Sequence, residues 1–204
     1  DIIDQRWHSF IMRKKKMGFK IIGTISNSRK MQSTDFHELI KSILNNNSNL
    51  YYFYTSLNEC CPLEKFLNQN GLSNRFKRID WIREMTPLLG LFDLILDSFP
   101  VGASHALCYS VQAGTPFISM ITTQNRQSSL LETMTPLIIN EYNNMHEKIG
   151  FYKSIDRYTK FANDSLCETD KLLTELLVNQ RTALSKVLSN PIGMYEDFSS
   201  HILS

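Results

Sequence analysis

From Phe19 onward the chain alternates short apolar runs with segments whose apolar residues recur three and four positions apart. This alternation constrains the fold more than any other feature. Lys20–Ile25 is rich in β-branched residues and reads as a strand buried on both faces. Ser33, Thr34 and Asp35 then supply N-cap chemistry, and Phe36, Leu39, Ile40, Ile43 and Leu44 share one helical face. Leu50–Tyr54 gives a second strand. Leu63, Phe66 and Leu67 mark a second helix, stopped at Gly71. Further strands are predicted at Phe76–Ile79, Leu94–Leu96, Phe117–Ile121 and Leu137–Ile139, with a short helix over Arg83–Leu91. Strands alternating with helices predict parallel pairing through right-handed crossovers, which is a doubly wound α/β domain with helices on both faces of a parallel sheet.

The domain is predicted to run over residues 19–204 and to turn all helical after about residue 150. There Leu172, Leu173, Leu176, Leu177, Leu184, Val187 and Leu188 form a stripe that reads as core. Asn45–Asn47 reads as a polar loop. Residues 1–18 read as a linker or helix apart from the domain: Trp7, Phe10 and Ile11 share one helical face, and the basic run Arg13–Lys16 reads as a solvated helix end. The chain begins at Asp1, with no signal peptide following, as expected of a piece cut from something longer.

Composition narrows the function classes. Of 204 residues, 22 are basic and 20 acidic, a balance that charge-driven nucleic-acid binding does not produce. No stretch approaches the roughly 20 consecutive apolar residues of a membrane span. Cys60, Cys61, Cys108 and Cys167 lie at spacings that match no C-x-x-C metal or redox motif, so no metal site is expected. Four thiols without a disulfide framework point to a reducing, cytoplasmic compartment.

Parallel sheets bind ligands at the carboxyl ends of their strands. Two segments are predicted there. Ser26–Met31, after strand one, lacks the glycines of dinucleotide-binding and phosphate-binding loops, but it carries Arg29 and Lys30 just before a helix start. After strand four, Pro100 and Gly102 break the chain, Ser104 is predicted to cap a helix to Ala113, and Gly114 and Pro116 close it. Free N–H groups of Ser104, His105 and Ala106, with the helix dipole, would form an anion site, and small Gly102 and Ala103 would let a diphosphate approach the backbone.

The run L-I-L-D-S-F-P-V-G-A-S-H-A-L-C-Y-S-V-Q-A-G-T-P-F-I (94–118) resembles the nucleotide-binding signature of GT-B glycosyltransferases. The closest group is the O-linked N-acetylglucosamine transferases and bacterial cytoplasmic N-glycosyltransferases, with the pattern D-x-F-P-x-x-G-x-T-T-x-x-D/E-A-L-x-x-G-x-P. S-N-S-R-K-M-Q-S-T (26–34) resembles their strand-one loop, and Ser189-Asn190-Pro191-Ile192 resembles the element before their last helix.

This resemblance implies a Rossmann-like, C-terminal donor lobe, with residues 1–18 a linker or inter-lobe helix. It implies transfer of a sugar from a nucleotide diphosphate sugar, UDP-linked, to a protein or glycan acceptor. No metal or other cofactor takes part, and an N-terminal lobe holds the acceptor. Lys30 falls on the lysine that meets the donor diphosphate. Asn27, Gly102, Ala103, Ser104, His105 and Ala106 fall on donor-binding positions. Tyr109 stands where the family has the acid that holds the ribose hydroxyls, and a phenol cannot replace two charge-assisted bonds. Trp81 reads as core or rim, and Arg126 as surface. The competing expectation is a non-catalytic, degenerate lobe acting as an interaction module.

Overall fold

The computed structural model describes residues 5–56, 61–79, 85–102, 104–122, 146–167 and 171–189. Six strands, β1 (Lys20–Thr24), β2 (Leu50–Thr55), β3 (Phe76–Ile79), β4 (Leu94–Leu96), β5 (Phe117–Met120) and β6 (Phe151–Tyr152), form one sheet in the order β3-β2-β1-β4-β5-β6. Every pairing is parallel. The order reverses between β1 and β4, and connections there leave toward opposite faces. In open parallel sheets such a switch point is where ligands are bound, at the strands' carboxyl ends.

Seven α-helices flank the sheet among the described residues: α1 (Gln5–Lys16), α2 (Thr34–Asn46), α3 (Pro62–Gln69), α4 (Thr86–Leu89), α5 (Ser104–Ala113), α6 (Ile155–Cys167) and α7 (Lys171–Ser189). Strand alternation sends side chains to two cores. Ile22, Tyr52, Tyr54, Leu94 and Leu96 meet α2, α3 and α6 on one face. Ile21, Tyr51, Phe53, Ile95 and Phe117 meet α1, α4 and α5 on the other. The sheet is therefore covered on both sides, as its continuous apolar strands require. Trp7 and Ile11 bury α1 in the second core, while its terminal lysines work locally: Lys15 Nζ pairs with Asp93 at 3.0 Å, and Lys14 Nζ lies 4.2 Å from the Tyr51 ring centroid.

Several elements differ from the sequence expectation. The predicted strand at 137–139 lies outside the described residues. The sixth strand is Phe151–Tyr152, in the region read as wholly helical. Two residues are too short for a periodic signal. The helix predicted over 83–91 is described only at Thr86–Leu89. Asn45–Asn47 is no loop: α2 runs through Asn46, and buried Asn47 caps it, its Nδ2 donating to Ile43 O at 2.9 Å and Asn163 Oδ1 at 2.8 Å. Ser104 is the first helical residue of α5 rather than its cap.

Candidate donor-binding crevice

The loop after β1 folds into a 3-10 turn over Ser28–Met31 because Asn27 caps it. Asn27 Oδ1 accepts from Arg29 N at 2.8 Å, and Lys30 N donates to Asn27 O at 2.9 Å. Buried Met31 anchors the turn in the core. Arg29 is left exposed and Lys30 partly buried. Asn27, which the resemblance puts on a donor-binding position, has its side-chain oxygen bonded within the turn.

The loop after β4 is braced from three sides. Ser98 Oγ donates its one hydrogen to Val101 O and accepts from the Ser26 hydroxyl, both at 2.9 Å. Thr122 Oγ1 donates to Pro100 O at 3.3 Å. Lys30 Nζ donates to Gly102 O at 2.6 Å, joining the two loops across 72 residues. An ammonium has three N–H donors, so this bond orients Lys30 and leaves two for a ligand.

Gly102 is buried and closely packed: a Cβ there would lie 2.5 Å from Asp97 Oδ2, so a side chain would force that carboxylate to move. Asp97 itself is 3% exposed and accepts from Ser119 Oγ at 2.6 Å. Sequence reading met Asp97 only as a strand end and the first position of the D-x-F-P pattern, gave it no role, and passed over Ser119. Two residues after Gly102, α5 begins at Ser104, His105 and Ala106. The first turn of any such helix carries N–H groups without intrahelical partners, together with the positive end of its dipole. Tyr109 lies one and a half turns on and is 47% exposed. Ala103, Trp81, Arg126 and Asn190–Ile192 lie outside the described residues.

Among the described residues no group of three or more His, Cys, Asp or Glu side chains is placed to hold a metal ion. Burial pushes the Cys108 thiol on α5 above its usual range, which disfavours a thiolate nucleophile. Surface grooves of about 630 and 320 Å³ lie elsewhere, one between α2 and α6 and one between α6 and α7. The first is lined by Asp35, Glu38, Asp156 and Asp164, a charge that repels phosphate. No described helix is long and apolar enough to cross a membrane.

No protein-family model matches the chain, and no curated protein matches it in sequence. Solved structures do share the fold. An O-GlcNAc transferase mutant of Thermobaculum terrenum superposes with TM-score 0.68 at 14% identity, over 91% of this chain and 35% of that one. S. aureus TarM, in a complex that includes UDP, gives TM-score 0.65 at 12% identity, over 89% and 36%. The C-terminal domain of a group 1 glycosyl transferase from Francisella tularensis gives TM-score 0.61 at 15% identity, over 86% and 90%. The molecule is thus an α/β protein with the Rossmann-like fold of a C-terminal GT-B glycosyltransferase lobe. It spans about a third of the length of the first two structures.

Proposed function

We propose that the chain is the donor-binding lobe of a glycosyltransferase that takes a sugar from a nucleotide diphosphate sugar, UDP-linked, and passes it to a protein or glycan acceptor. The carrying observation is the bond from Lys30 Nζ to Gly102 O at the sheet's switch point. It holds a cation beside a close-packed glycine, just ahead of a helix start. In this reading the diphosphate lies between Lys30 and the first turn of α5, against Gly102 and Ala103. When the sugar–phosphate bond breaks, negative charge grows on the leaving diphosphate. Lys30 and the N–H groups of Ser104, His105 and Ala106 stabilise it without a metal. The acceptor and its base belong to a second lobe, and the reaction takes place in the soluble, cytoplasmic phase.

The exposed phenol of Tyr109 favours one alternative, a degenerate lobe that binds a partner and transfers nothing. Calorimetry with UDP and with uridine separates the two. Lys30→Ala should weaken UDP by about 10- to 150-fold, the range of a hydrogen bond to a charged group. Uridine, which lacks the diphosphate, should lose little. Absence of UDP binding by the unaltered chain would sink the donor-lobe reading. Residues 1–204 alone should bind UDP yet transfer no sugar to added protein or glycan acceptors, as radiolabelled donor would show; transfer by the isolated chain would place the whole active centre within it.

A further inference from the structure

Resting on the donor-lobe reading, we infer that Asp97 is a positioning residue for the crevice: held by Ser119, its carboxylate supports the Gly102 peptide and thereby aims the Lys30 ammonium. Three hydrogen bonds hold Asp97 in place. Its N donates to Ile118 O at 2.9 Å, its main-chain O accepts from Tyr158 Oη at 3.3 Å, and its Oδ2 accepts from Ser119 Oγ at 2.6 Å. That same Oδ2 packs beside Gly102, 2.5 Å from where a Cβ on that residue would sit. The carbonyl of Gly102 in turn receives Lys30 Nζ at 2.6 Å.

A chain of contacts thus runs from β5 through β4 to the loop after β1, crossing the switch point. Burying a carboxylate is costly, and an apolar residue would fill the same space more cheaply. A group that is rigid, polar and fixed by a hydroxyl donor fits a role in setting the position of a neighbouring peptide. Asp97 acts through Gly102 and is not itself catalytic. A side chain at Gly102 would collide with the Asp97 carboxylate beside the carbonyl that Lys30 uses.

The test uses the full chain with carbon-13-labelled lysine, the Lys30 ε-methylene resonance being assigned from Lys30→Arg. In the unaltered protein this resonance should stand apart from the solvated lysines. Asp97→Ala should move it to the solvated position while circular dichroism stays native; Asp97→Asn, which keeps the shape, should leave it near its original place. UDP affinity should fall about tenfold in Asp97→Ala, with uridine unaffected. In a Lys30→Ala background the same change should add less than about twofold, because the group it aims is gone. A Lys30 resonance indifferent to Asp97→Ala, or losses that multiply in the double variant, would overturn the inference. If Asp97→Ala does not fold, Ser119→Ala removes one hydroxyl and carries the same resonance test. A Lys30 signal that follows Asp97 in a chain with no UDP affinity would end the donor-lobe reading and leave the positioning role standing.

Discussion

At the scale of single residues, function turns on which groups the fold leaves free. Asn27 and Lys30 are three residues apart, yet the first spends its side-chain oxygen on a turn and the second reaches 72 residues along the chain. Tyr109 is the sharpest departure from the pattern the sequence resembles. It is 47% exposed on α5, and it offers one O–H where a carboxylate would accept two charged bonds. Tyr109→Glu should raise affinity about tenfold for uridine and UDP alike, because both carry the ribose. Calorimetry that finds no change would mean this face of α5 never meets the nucleoside. The residue types at the crevice were legible in sequence as two loops with anion chemistry. The Lys30–Gly102 bond was not, because local pattern carries no information on which distant carbonyl a lysine reaches.

Among the elements, β6 shows how a side chain can complete a sheet. The strand has two residues, which leaves the Phe117 end of β5 without a strand neighbour on that side. Gln180 of α7 fills the gap: its Oε1 accepts from Phe117 N at 3.2 Å, and its Nε2 donates to Phe117 O at 2.7 Å and Ile149 O at 3.0 Å. The amide thus pairs with Phe117 as a backbone residue would. Gly150 makes room, turning with φ 87° where a Cβ would lie 2.5 Å from Phe117 O. Gln180→Ala should cost about 2–4 kcal/mol, since each buried group left unpaired costs about 1–3 kcal/mol. Urea unfolding would measure it, and a loss within about 0.5 kcal/mol would show that water replaces the amide. Sequence periodicity located α7 through its leucine stripe and assigned Gln180 no role. Only the missing strand pairing gives that amide its work.

Over the whole molecule, the two cores hold an unusual share of phenols. Burial raises the pKa of Tyr51, Tyr52, Tyr54, Tyr152 and Tyr158, five of the eight tyrosines. Glu64 beside Tyr54 and Asp97 beside Tyr158 push the same way. In the unfolded chain a phenol ionises near pH 10. Below that pH both states keep the proton, and these groups contribute their full stability. Above it the unfolded chain ionises first, so stability falls as pH climbs toward the raised native values. Alkaline titration at 295 nm should show these five ionising only as circular dichroism is lost; eight phenols titrating together near pH 10 in a native spectrum would contradict the burial argument.

Local sequence alone carried the layered α/β architecture and five of the six strands. Those features follow from periodicity, caps and chain breakers, which act over a few residues. Tertiary structure alone decided the rest: the two-residue strand at Phe151, the buried role of Asn47, the support of Gly102 by Asp97 and the reach of Lys30. Each depends on groups from separate parts of the chain meeting at one point in space, and their pairing is fixed by packing and desolvation after the elements have assembled.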